Sequence, residues 1–211
     1  MRDLWYKISK PGLVLFLAGT ALLYLSLPDT IISFKPPKSF EDVMATGGSA
    51  GDHVQGQVPF LLDSFAVEQT WTENRSNNSV TPKKNSRYYF VLPADDGYLG
   101  VSVGSSSSSE AKKLADQTYG YLSGGAMPSA TLVIDGRISQ MEDDLASMFR
   151  RELKNTYGLS SQEISDMGPL MMIEPRAFTT IRVFCGAGAI LFLTGIFLLT
   201  RYWREMNRYI N

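Results

Sequence analysis

The sequence predicts an α+β domain with a mainly antiparallel sheet and two amphipathic helices, flanked by two transmembrane helices. Three observations lead there. Two charge-free runs of eighteen residues lie near the ends of the 211-residue chain. Between them, about six or seven short β-rich stretches follow one another without regular β-α alternation. Two further stretches repeat their apolar residues at helical spacing. A small, partly open barrel is one arrangement such elements can take.

The runs are residues 11–28, PGLVLFLAGTALLYLSLP, and residues 183–200, VFCGAGAILFLTGIFLLT. At 1.5 Å per residue each makes about 27 Å of helix, close to the hydrocarbon core of a bilayer. A soluble surface helix would keep a polar stripe, which neither has. In lipid, backbone groups must be satisfied within the segment, so both are expected to be helical. A cleaved signal peptide competes for the first run, since Lys7 and Lys10 precede it. The following Ser26-Leu27-Pro28-Asp29 lacks a small-residue cleavage pattern, which favours an uncleaved anchor. Residues 1–10 carry a net +2 and residues 201–211 another +2, against −6 for residues 28–181. Positive charge beside a span stays in the cytoplasm. Both tails, 1–10 and 201–211, are therefore expected inside, and residues 29–182 outside as the extracytoplasmic domain. Trp5, Tyr6, Tyr202 and Trp203 suit the aromatic belt at the inner face.

Within the middle region, Ser39-Phe40-Glu41-Asp42 reads as a capped helix start that Gly47-Gly48 cuts short. From His53, alternation puts Val54, Gly56, Val58, Phe60 and Leu62 on one face of a strand, and Phe65-Ala66-Val67 begins another. Residues 74–86 are polar and read as a loop, with two glycosylation sequons at Asn74 and Asn77. Residues 87–103 form the clearest hairpin, reversing at Asp95-Asp96-Gly97. Ala111, Leu114, Ala115, Thr118 and Leu122 mark an amphipathic helix, with Ser109 as its expected cap and Gly124-Gly125 at its end. Ala130 to Ile134 reads as a strand turned at Asp135-Gly136 into Arg137-Ile138-Ser139. The next helix starts on Glu142, Asp143 and Asp144 and ends on Arg150, Arg151 and Lys154, charges that complement its dipole. Leu145, Met148, Phe149 and Leu153 form its expected buried face, and Leu170 to Ile173 the last strand.

Composition excludes several functions. A net charge of −1 is not that of a general nucleic-acid binder. One cysteine cannot close an intramolecular disulfide, and one histidine cannot build a multi-histidine metal site. The sharpest motif is Gly47-Gly48-Ser49-Ala50-Gly51, formally G-x-S-x-G, with His53 close behind. A serine hydrolase places that motif between a strand and a following helix, with its histidine approaching from elsewhere. Here a helix precedes the glycines and a strand follows, so a flexible connector is the expected role. The serine run after Gly104 lacks the second glycine and the lysine of a phosphate-binding loop. Neither span holds an interior ionisable residue, which argues against an ion pathway. No catalytic, cofactor-binding or metal-ligating residue is assigned, and no cofactor is expected. The small-sided patch around Gly186 and Gly188 could meet Gly19, Thr20 and Ala21 of the other span or join a second copy of the chain.

The order of the YYFVLP-DDG-YLGVSV hairpin, helix and second hairpin between two spans resembles small two-span membrane proteins of unknown function, chiefly from Gram-positive bacteria. The resemblance is architectural and transfers no activity. The expected function is a non-enzymatic, membrane-anchored domain that binds a protein partner or scaffolds an envelope complex. The alternatives are a small-ligand sensor signalling through the spans and a membrane-tethered hydrolase using Ser49.

Overall fold

The computed structural model describes residues 10–71, 73–74, 79–80 and 84–210. The N-terminal charges Arg2, Asp3 and Lys7, the rings Trp5 and Tyr6, and parts of both sequons lie outside the described residues. In chain order the elements are α1 (Lys10–Ser33), α2 (Phe40–Thr46), β1 (His53–Gln57), β2 (Ser64–Thr70), β3 (Glu73–Asn74), β4 (Ser79–Val80), β5 (Lys84–Ala94), β6 (Gly97–Gly104), a 3₁₀ turn (Ser105–Ser107), α3 (Ser108–Leu122), β7 (Val133–Gln140), α4 (Asp143–Asn155), α5 (Ser161–Asp166), β8 (Met171–Pro175) and α6 (Phe178–Ile210). They form two compact units. One holds the chain up to Phe34 and from Ala177 onward; the other is Lys35–Arg176.

In the helical unit, α1 and α6 pack along a seam of small residues. Gly12, Gly19, Ser26 and Ser33, each seven residues after the last, are buried in α1. Gly188 and Gly195, also seven apart, are buried in α6. Seven residues are close to two helical turns, so such a series holds one face toward its partner. The backbones approach so closely that a Cβ on Gly19 would lie 2.4 Å from the backbone nitrogen of Phe192, and one on Gly195 2.5 Å from that of Phe16. The rings of Phe16 and Phe192 stack beside this contact, 5.1 Å apart. The seam's hydroxyls are satisfied within α1: Ser26 donates to Leu22 O, Thr30 to Ser26 O and Ser33 to Thr30 O. At the end of α1, Arg182 of α6 donates to the Ser33 hydroxyl and carbonyl, and its guanidinium lies over the Phe34 ring. A cation there satisfies orphan carbonyls and complements the negative helix end.

Two expectations change in this unit. Pro28 ends the apolar run but not the helix, which continues to Ser33. The patch expected to recruit another chain through Gly186 and Gly188 is divided. A Cβ on Gly188 would meet Leu22, the Leu23 backbone and the Gly19 carbonyl, whereas one on Gly186 would meet nothing within 4 Å. Two residues along an α-helix rotate by about 200°, so the pair cannot share a face.

The middle unit is an open six-stranded sheet in the order β1-β7-β8-β6-β5-β2, all antiparallel except β6 with β8. It is not a barrel, because β1 and β2 lie at opposite edges of the order. Alternation sends Phe90, Leu92, Leu99, Val101, Val103, Ile138 and Ile173 to one face, where Phe40 and Val43 of α2 and Ala111 and Leu114 of α3 cover them. Val91 and Met172 point to the other face, beneath Ala146, Phe149 and Leu153 of α4 and Ile164 of α5. The β5–β6 hairpin reverses at Asp95-Asp96 into Gly97, whose φ is +138°, as the sequence predicts. Ser39 caps α2 with a reciprocal Asp42 bond, and Gly47 ends it with a φ of +69°.

Four local readings are corrected. No turn occurs at Asp135-Gly136; β7 runs straight through, and Gly136 is there because a Cβ would lie 2.2 Å from the Glu174 carbonyl oxygen of β8. The second hairpin is therefore absent. Ser109 does not cap α3; its hydroxyl donates to Glu110, and the helix grows out of the preceding 3₁₀ turn. Met148 stands exposed on α4 while Ala146 takes the buried place. The strand from His53 ends at Gln57, after which Val58, Leu61 and Leu62 are buried from irregular chain.

Candidate functional site

A largely apolar cleft of about 430 Å3 is lined by Phe60, Leu62, Pro93, Tyr98, Thr118, Tyr119, Tyr121, Leu122 and Tyr157. Three local structures build it. Pro93 and Tyr98 face one another across the β5–β6 hairpin, near its turn. The last turn of α3 supplies Tyr119, Tyr121 and Leu122. Tyr157 follows α4, just before Gly158 reverses the chain with a φ of +72°. Buried Thr118 fixes the remaining wall: its hydroxyl accepts from Leu61 N and donates to Leu114 O, holding residues 60–62 against α3.

The rings pair off, Phe60 with Tyr121 at 5.6 Å and Tyr98 with Tyr157 at 5.2 Å. Tyr119 donates to Asp63, 2.9 Å away, and its hydroxyl oxygen lies 3.4 Å from that of Tyr157. Burial pushes the Tyr157 hydroxyl pKa far above its ordinary value, reinforced by Tyr119 and the Asp63 charge. Burial likewise raises Tyr119, with Asp63 adding to the effect. Both phenols therefore stay protonated at neutral pH. The cleft offers apolar walls with a few oriented hydroxyls, the usual make-up of sites for small molecules and partner side chains.

The serine motif is folded into a connector. A Cβ on Gly48 would lie 2.0 Å from Ile138, and Gly51 has a φ of +84°. Gly51 N donates to Ile138 O, Asp52 N to Ser49 O, and Ser49 N to the Asp52 carboxylate. Ser49 itself is exposed. His53 is buried, its Nε2 2.8 Å from Asp135 and its Nδ1 3.1 Å from the Lys35 carbonyl oxygen, so both ring nitrogens contact groups other than Ser49. Around it, Lys38 pairs with Asp52 at 2.8 Å, and backbone bonds join Lys38 to β1. Burial works to raise the Asp52 pKa, but the Lys38 hydrogen bond, the Ser49 N–H and the charges of Lys38 and Lys35 outweigh it and hold the carboxyl below its usual value. On β8, Glu174 takes both Arg137 and Arg176, and Arg176 N donates to Asp135 O. This arrangement ties the first residues of the unit to its central strands and has the form of a structural clamp. Among the described residues, no three His, Cys, Asp or Glu side chains gather to hold a metal ion.

Residues 3–201 match the family described as Domain of unknown function (DUF8577). The chain belongs to this family. No curated protein matches it, and no solved structure does. The match covers nearly the whole chain, taking in the first apolar helix and most of the second, so the family spans these helices as well as the middle unit.

None of the cleft's tyrosines stands out in the sequence. Tyr98, Tyr119, Tyr121 and Tyr157 come from three separated segments of a chain with ten tyrosines. The available signal is their position, each at or just beyond the end of a strand or helix, where side chains can project past the packed core.

Proposed function

We propose that the chain is a two-span membrane protein whose middle domain, residues 29–182, lies outside the cytoplasm and binds a partner in the cell envelope, with both termini inside. The observation that carries this reading is the outward surface of the helix pair. Lys10–Ser33 and Phe178–Glu205 are long and apolar enough to cross a membrane. Val14, Leu17, Leu25 and Ile31 on one, and Phe184, Ile190, Leu193 and Phe197 on the other, project away from the seam. Such surface is costly in water, at about 25 cal/mol per Å2, and at no disadvantage in lipid. The charges beside the spans support the orientation. The tyrosine cleft supports binding as the role of the middle domain.

Alkaline carbonate should leave the protein in the membrane. In a Cys185→Ala background, a membrane-impermeant thiol reagent should label Lys113→Cys on intact cells and Arg208→Cys only after lysis. Extraction by carbonate overturns the anchoring, and the reverse labelling pattern overturns the orientation. For the binding role, a photoreactive residue in place of Tyr121, at the cleft rim, should give a discrete adduct in cells that is lost with Leu122→Asp. An adduct indifferent to that change overturns the cleft as the contact.

A further inference from the structure

A second cavity, of about 460 Å3, lies between α4 and α5 and is lined by Arg150, Arg151, Lys154, Asn155, Ser161, Ile164, Ser165 and Gly168. Every charged side chain in that lining is a cation. None of the three is in an ion pair among the described residues, whereas Lys38, Arg137, Arg176 and Arg201 all are. The nearby acids are occupied locally and stay out of the lining. Glu152 accepts from the Thr156 hydroxyl, Glu163 from Ser160 N, and Asp166 from Gln162. The cluster stands out in a middle region that is otherwise acidic.

Complementing the helix dipole does not account for it. The C-terminus of a helix carries about half a negative charge, felt within the last turn. Lys154 alone offsets that and leaves about two positive charges over. Arg150 and Lys154 also stand four residues apart on α4, an arrangement in which like charges cost stability. An anion in the cavity removes that repulsion. The remaining polar lining can donate as well, through the Asn155 amide nitrogen and the hydroxyls of Ser161 and Ser165. A carboxylate offers its acceptor sites in a single plane and brings one negative charge against three cations. A phosphate presents three or more oxygens, carries up to two charges, and matches the fork of an arginine guanidinium.

The geometry points to a binding site for a phosphate group, held by Arg150, Arg151 and Lys154. Its source is either a soluble phosphate compound or the headgroup of an anionic phospholipid; both present the same chemistry to the three cations. This site involves the middle unit alone and does not depend on the tyrosine cleft; with a soluble phosphate as its ligand it does not depend on membrane topology either.

The test uses the full chain in phosphatidylcholine nanodiscs, titrated with inorganic pyrophosphate by calorimetry. Binding should weaken at least about tenfold in Arg150→Gln/Lys154→Gln, the loss of about 1.4 kcal/mol that removing two charge-assisted contacts would give, and stay unchanged in Lys113→Gln. The same variants in nanodiscs containing phosphatidylglycerol identify the other source: a rise in unfolding temperature over pure phosphatidylcholine, present in the natural chain and lost in the double variant, assigns the site to a lipid headgroup. Absence of both effects overturns the proposal, as does an equal response from the double variant. Succinate binding as tightly as pyrophosphate overturns the assignment to phosphate. The three cations are exposed, so the variants should fold, and circular dichroism checks that they do.

Discussion

Where α1 meets α6, the buried residues are Gly12, Gly19, Ser26 and Ser33 on one helix and Gly188 and Gly195 on the other; where the sheet meets α4, they are Phe149, Leu153, Val91 and Met172. The two units solve the same packing problem in different ways. In the middle unit, large side chains leave water, and the gain scales with the apolar area they bury. Between two apolar helices in the proposed bilayer that gain would vanish, since lipid tails are as apolar as leucine. Close backbone approach and dispersion contacts then hold the pair, and only very small residues allow it. The helical unit should therefore fail when a side chain is added, and the middle unit when one is removed.

The sharpest break in that contrast is Phe149→Ala. The side chain is fully buried, so its loss should destabilise the middle unit by about 3–5 kcal/mol, visible as a large drop in its thermal unfolding midpoint. Next comes Gly195→Leu, which forces a side chain into the Phe16 backbone and should cost about 3 kcal/mol or separate the helices. Crosslinking between cysteines introduced into α1 and α6 reads the separation. Gly186→Leu, into open space, should leave that crosslink intact, and a loss there equal to that of Gly195→Leu would refute the seam.

The smallest effect is electrostatic and belongs to the middle unit. In the folded state Asp52 titrates below the usual aspartate range. A depressed carboxyl stabilises the fold fully above its unfolded pKa and loses that contribution as pH falls through the folded one. The stability of the middle unit should therefore decline as pH falls through about 4, the ordinary aspartate value, and below it, by up to about 1 kcal/mol for a partly exposed pair. Asp52→Asn should flatten that part of the profile. An unchanged acid limb would mean that Lys38 and Ser49 do not stabilise the carboxylate.

Much of the fold was legible because its signals are local. The two charge-free runs, the Asp95-Asp96-Gly97 reversal, the capped start at Ser39 and the charge pattern of α4 each lie within a few consecutive residues. The misreadings came where a distant strand or helix decides the meaning of a residue. Gly136 resembles a turn residue because the signal that explains it, the carbonyl of Glu174, is far along the chain. The Ser160–Glu163 capping box of α5 is local and was there to be read, as was the seven-residue spacing of small residues in α1.

Composition and periodicity thus determined the two apolar helices, the α+β class and the strand-rich middle, since each follows from side-chain polarity repeating at the period of its own element. Tertiary structure decided which glycines face a neighbour, that β8 lies parallel to β6, and that four tyrosines from three segments share one cleft while three cations line another. Those outcomes depend on contacts between residues far apart in the chain, and no local pattern encodes such distances.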